Sequence, residues 1–170
     1  MLKLGHSHLF QTLAQTKNFA DRQIFCNFDD YYINEMKTPT SFSLEMAVRD
    51  YELDSEGIVN NAIYLHYFEH TRHAFCLAAG YSFDQMKADG IIPVAAHIEI
   101  DYKTPLRSGD VMVSTLTVTR QGVKFVFDQN IYNKATGALA THALVNIVCI
   151  ENGKLSRGDR LAKVFEKYLD

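Results

Sequence analysis

The run NAIYLHYFEHTRHAFCLAAG, residues 61–80, is long enough for about five turns of helix. Four strand-like segments follow it with only short turns between them. Ile63, Tyr64, Tyr67, Phe68, Phe75 and Ala78 supply its apolar faces. Asn60 stands where an N-cap belongs, and Gly80 where a helix closes. The later segments are IPVAAHIEIDYKT, VMVSTLTVTRQG, VKFVFDQNIYNKATG and ALATHALVNIVCIENGK. They carry the alternation of half-buried strands, and PLRSGD supplies turn chemistry through Pro105 and Gly109. FSLEMAVRDYEL, before the helix, alternates as well and predicts one more strand. One strand, one long helix and then a meander leave few ways to bury the helix. The expectation is an α+β chain: an antiparallel sheet of about five strands wrapped around one long central helix. FDQMKADG adds a short helical piece and RGDRLAKVFEKYL a C-terminal helix. The remaining sheet face needs cover, from a second copy or a second sheet, because large bare apolar patches are rare on monomers.

The chain has 170 residues, a length that suits one domain with a real core. Residues 1–40 show no clear period and end in a polar, Pro-containing link, so they read as a loosely ordered N-terminal extension. Within it a short helix around residues 7–20 is conceivable, and Met36 is a candidate start for the domain, which is placed at 41–170. Hydrophobic residues at 47% and charged residues at 22% exclude a disordered chain. A net charge of −3 gives no reason to expect nucleic acid or an anionic membrane as partner. No apolar run approaches the ~20 residues needed to span a bilayer, and the N-terminus lacks the apolar core of a secretory signal.

Cys26, Cys76 and Cys149 form no CxxC pair, so neither a zinc ribbon nor a redox motif is indicated. Cys76 and Cys149 lie in apolar runs and read as buried free thiols, which fits a reducing cytoplasm. His66, His70 and His73 are spaced i, i+4, i+7, within a stripe about 60° wide on a helix. His66 and His73 are then roughly 10 Å apart along the axis, too far for one ion to bridge all three comfortably. No metal and no organic cofactor is expected. There is no GxSxG elbow, no Walker A loop and no GxGxxG.

Asp54 sits between a strand and the start of the long helix, in a loop with Gly57. The first turn of a helix presents backbone N–H groups without intrahelical partners, at the positive end of the dipole. A carboxylate facing such donors can attack a carbonyl or activate water, while the donors hold the oxyanion. An Asp in a Gly-containing loop can equally be a turn or capping residue.

VRDYELDSEGIVNNAIYLHYFEHTRHAF followed by EIDYKTPLRSGDVMV resembles the hotdog-fold thioesterases of the 4-hydroxybenzoyl-CoA thioesterase type. Bacterial acyl-CoA thioesterases and the related plant acyl-ACP thioesterases look nearest. The shared pattern falls on Asp54, Gly57, Val59, Asn60, Tyr64, Phe68 and Glu69. The resemblance implies a hotdog fold, with Asp54 as catalytic carboxylate. It implies that the backbone N–H of Asn61, or of its neighbour, polarises the thioester carbonyl. Many members have Tyr or His at position 61, so the role that carries over belongs to the backbone. Glu69 is a second, supporting carboxylate. Gly57, Val59, Asn60 and Tyr64 are expected at the substrate. Arg107 is expected there as a cation for substrate phosphates, with Lys103, Arg120 and Lys124 as further cations that solvated strand ends would also explain. The implied reaction is hydrolysis of an acyl thioester on CoA or acyl carrier protein, by a cytoplasmic homodimer or homotetramer. A dehydratase on acyl thioesters and a non-catalytic acyl-binding protein are the rival readings.

Overall fold

The computed structural model describes residues 41–169. The helix expected near residues 7–20, the reading of 1–40 as a loose extension and Cys26 lie outside the described residues.

Among the described residues, six strands form one antiparallel sheet. They are β1 (Phe42–Ala47), β2 (Ile91–Tyr102), β3 (Val111–Gln121), β4 (Lys124–Asn133), β5 (Leu139–Glu151) and β6 (Lys154–Ser156). The order is β1-β3-β4-β5-β2. β6 pairs with β5 at Cys149–Glu151, past the point where β4 has ended at Lys124 opposite Val148. Alternation governs the central strands. Met112, Ser114, Leu116 and Val118 of β3, Phe125, Phe127, Gln129 and Ile131 of β4, and Ala143, Val145, Ile147 and Cys149 of β5 are buried, with partly exposed residues between them. The expected curled sheet around a long helix is thus the observed fold, with five strands on the main path and β6 as a short addition.

The central helix, α1, spans Asn61–Ala78. Tyr64, Tyr67, Phe68, Thr71 and Phe75 are buried, the i, i+3, i+4, i+7, i+11 spacing of a single face. Asn60 caps it, its side chain accepting the Ala62 N–H at 2.9 Å. At the other end Tyr81 N–H reaches Cys76 C=O at 3.0 Å and Gly80 N–H reaches Leu77 C=O at 3.0 Å, the closing pattern that Gly80 predicts. Polar groups fix how α1 lies on the sheet. Thr71 Oγ1 is 2.8 Å from Ser114 Oγ and donates to Tyr67 C=O. Gln129 donates to Phe68 C=O at 3.1 Å and accepts from Arg72 at 2.8 Å. Every buried side-chain polar atom among the described residues has a partner, as a low-dielectric interior requires.

Two expectations need correction. The first strand stops at Ala47 instead of running to Leu53. A 3₁₀ turn occupies Asp50–Glu52, because the Glu52 carboxylate folds back onto the Arg49 N–H at 2.7 Å. Ser108 donates to Asp50 and ties this turn to the β2–β3 connection. The C-terminal helix is also shorter than expected: α3 covers Asp159–Val164, and a 3₁₀ turn follows at Glu166–Tyr168. That break points Phe165 and Tyr168 at Phe75, with ring centroids at 4.9 and 4.8 Å. The short helical piece, α2 (Phe83–Ala88), is present, with a Ser82 cap.

Gly158 caps α3 in the left-handed conformation, φ +70°, and a Cβ there would lie 2.7 Å from the Phe125 ring. Gly158→Ala therefore combines left-handed strain of about 1–2 kcal/mol with overpacking of about 1–3 kcal/mol. Urea unfolding should show a loss of about 2–5 kcal/mol, the sum of those ranges. Gly137 has the same φ and open space around it, so Gly137→Ala should show only the strain.

Candidate active site

The segment between the 3₁₀ turn and α1 is a miniature hairpin. Leu53 bridges Val59, Asp54 N–H donates to Ile58 C=O at 2.8 Å, and Gly57 N–H donates to Asp54 C=O at 3.1 Å. Asp54 sits at its tip. Its Oδ1 accepts the N–H of Glu56 at 2.9 Å and of Ile58 at 3.4 Å. Its Oδ2 has no hydrogen-bond partner among the described residues. Asp54 is thus a turn-former with one oxygen and has the other oxygen free for chemistry.

The start of α1 leaves one donor open. Asn60 takes the Ala62 N–H with its side chain and the Ile63 N–H with its carbonyl. The Asn61 N–H has no acceptor among the described residues. Asp54 and Asn61 both line a cavity of about 260 Å³, together with Ile58, Val59, Tyr64 and the stretch Tyr102–Pro105. The residue with an open carboxylate oxygen and the residue with an open helix-start N–H therefore border the same space.

Of the other expected site residues, Val59 and Tyr64 form part of the wall. Tyr64 O–H accepts the Leu106 N–H at 3.2 Å, and burial raises its pKa, so it stays protonated. Gly57 and Asn60 serve the backbone, one at the turn with φ +70° and one as the cap. The Arg107 guanidinium donates to Gly57 C=O at 3.4 Å and braces the hairpin. Lys103, not Arg107, is the cation on the cavity wall, with Asp101 at 3.3 Å. Glu69 is elsewhere. It is eight residues along α1 from Asn61, about 12 Å of rise, and lines a separate cavity with Arg72, His73 and Cys76.

The histidines divide between cavities too. His66 and His70 border a groove beside β1, whereas His73 lies 3.9 Å from Glu69 and stacks on Phe83. No group of three or more metal-type ligands occurs among the described residues. Burial pushes the Cys76 thiol up to about 12 and Cys149 up to about 11, values that keep both thiols protonated and poor as nucleophiles.

The sequence reading missed Tyr102 and Glu52. Tyr102 O–H donates to Asn61 C=O at 3.0 Å and walls the cavity. Glu52 is a buried acid hydrogen-bonded to Tyr67. The alternation did not announce it: counting by twos from Leu44, Met46 and Val48 reaches the exposed Asp50 first, and the strand has already ended at Ala47.

Against known proteins, residues 48–167 match the family described as the thioesterase-like superfamily. A chloroplastic acyl-acyl carrier protein thioesterase of Arabidopsis thaliana is 36% identical over 90 residues, 52% of this chain and 47% of that one. The long-chain acyl-CoA thioesterase FadM of Escherichia coli is 34% identical over 112 residues, 63% of this chain and 81% of that one. The crystal structure of YbaW, a probable thioesterase from Escherichia coli, superposes with TM-score 0.65 at 28% identity, over 75% of this chain and 98% of that one. The chain spans about half the length of the plant relatives it matches.

Proposed function

The chain belongs to the thioesterase-like superfamily, and on that footing we propose that it hydrolyses acyl thioesters of CoA or acyl carrier protein to the free acid and the thiol. The observation that carries this reading is that one cavity is lined by both Asp54, which has an open carboxylate oxygen, and Asn61, which has an open N–H. The thioester carbonyl oxygen sits at the Asn61 N–H, where the 18-residue α1 adds the positive end of its dipole. Asp54 then acts in one of two ways. As general base it takes a proton from water, whose oxygen adds to the carbonyl carbon. As nucleophile it adds directly, and water cleaves the resulting anhydride. In both, the tetrahedral oxyanion collapses, the C–S bond breaks, and the thiolate leaves with the electron pair. Thiolates leave readily, so this light machinery suffices without metal or cofactor.

The same reading places the activity in residues 41–170, with Lys103 and Arg107 near the substrate's phosphates. It makes the protein a cytoplasmic homodimer or homotetramer. No helix among the described residues is long and apolar enough to cross a membrane. Edge strand β2 supports assembly: it exposes Ile92, Val94, Ile98 and Tyr102, and among the described residues no strand other than β5 pairs with it.

The test is thiol release from a panel of acyl-CoAs and acyl-acyl carrier proteins of graded chain length. Release above a heat-inactivated control is the expected result. Binding without release would favour an acyl-binding protein, and hydration of an enoyl thioester a dehydratase.

A further inference from the structure

Glu52 is a buried carboxylate that the reaction scheme leaves unused. Its Oε2 accepts both the Tyr67 O–H at 2.6 Å and the Arg49 N–H at 2.7 Å, while Oε1 faces the Arg49 guanidinium at 3.5 Å. Taking a carboxylate out of water is costly, so the contacts that hold it there matter. Glu52 stands two residues before Asp54, and its carbonyl accepts the Asn60 N–H at 2.9 Å. One residue therefore grips α1 by its side chain and the first residue before α1 by its backbone. The other leg of the hairpin is held differently. Val59 N–H donates to Leu106 C=O at 2.9 Å, and Leu106 N–H donates to Tyr64 O–H. Tyr64 and Tyr67 are neighbours on α1, their rings edge-on at 6.0 Å. The two legs of the Asp54 hairpin thus hang from two adjacent phenols of the helix whose start carries Asn61.

We propose that the Glu52–Tyr67 hydrogen bond is a positioning device, setting the gap between the Asp54 carboxylate and the Asn61 N–H. The proposal rests on the reading that Asp54 and Asn61 are the reacting groups. Within the hairpin, the bonds of Asp54 are to its own neighbours, so they fix the shape of the tip and not its placement on α1. Placement comes from the legs, and misplacement of a reacting group by about 1 Å can cost on the order of 10²-fold in rate. Burial, and then the bond to Glu52, hold the Tyr67 phenol far above its ordinary range, so it remains a donor.

The test uses the full chain and the panel acyl-CoA hydrolysed fastest. Tyr67→Phe and Glu52→Met should each lower kcat about tenfold with KM within about twofold, part of the misplacement penalty. In hydrogen exchange, the Asp54, Gly57 and Ile58 amides should exchange faster in both, a readout that needs no substrate. Combining the two changes removes donor and acceptor together, which restores stability but leaves the hairpin untethered, so kcat should stay low. Glu52→Gln keeps an oxygen where Oε2 stands and should rescue most of the kcat lost in Glu52→Met. Unchanged kcat and exchange in well-folded Tyr67→Phe would overturn the proposal. So would kcat that returns with stability in the double variant, or Glu52→Gln as slow as Asp54→Asn, which would place Glu52 in the chemistry itself. Asp54→Asn in the same assay separates the two levels. If it is fully active, the Asp54 reading fails. If it is inactive while Tyr67→Phe is normal, only the positioning role fails.

Discussion

Asp54→Asn should lower turnover by at least about 10²-fold, the low end for loss of a general base, and leave the fold intact. Asn keeps an acceptor oxygen where Oδ1 holds the Glu56 and Ile58 N–H groups, so the hairpin survives. What it loses is the negative charge on the open side, to which the proposed mechanism assigns the work in the transition state. KM or Kd should therefore move far less than kcat. Stability should stay within about 0.5 kcal/mol. Asp54→Ala is the contrast: it abandons both loop hydrogen bonds as well as the charge, and should lose about 1 kcal/mol in addition to activity. Glu69→Gln, on a separate cavity, should do less to the rate than Asp54→Asn. A folded Asp54→Asn protein with near-native hydrolysis, measured by thiol release, would remove Asp54 from the mechanism and make Glu69 the next residue to replace.

The largest loss of stability should come from Phe75→Ala. Phe75 is fully buried and meets Phe42, Phe127, Phe165 and Tyr168 with ring centroids between 4.8 and 6.0 Å. It joins β1, α1, β4 and the C-terminal turn at one point. Truncating such a side chain removes transfer energy and opens a cavity, together about 3–5 kcal/mol. Against a typical total of about 5–15 kcal/mol, that brings the fold near its limit. The urea midpoint should fall with an unchanged slope. Leu77→Ala, two residues on but 65% exposed, should shift stability by no more than about 0.5 kcal/mol.

Much of this was legible in the chain. β3, β4 and most of β5 alternate because each has one face on the core; the exception is the consecutive buried pair Ala140 and Thr141 near the start of β5. Asn60 and Gly80 announced the ends of α1 because caps are local chemistry. Other features depended on particular side-chain contacts, most of them distant in sequence. β1 ends early because Glu52 turns back on Arg49 and Ser108 reaches Asp50. α3 ends early because Phe165 and Tyr168 are drawn to Phe75. In the candidate site, Asp54 and the helix start could be read from the run of residues. That Glu69 and His73 fall on one cavity and His66 and His70 on another depends on what packs beside α1. Tyr102 could not be placed at the helix start without the pairing of β2 with β5.

The covering of Phe75 by Phe165 and Tyr168 also orders events during synthesis. Chains grow at about 5–20 residues per second, so α1 is complete several seconds before the segment that covers Phe75 is made. Through that interval a nascent chain carries the apolar stripe of α1 with part of its lining missing, a surface on which chaperones act and aggregates start. A chain that ended before Phe165 would lack that cover on Phe75 and should be more open to proteolysis.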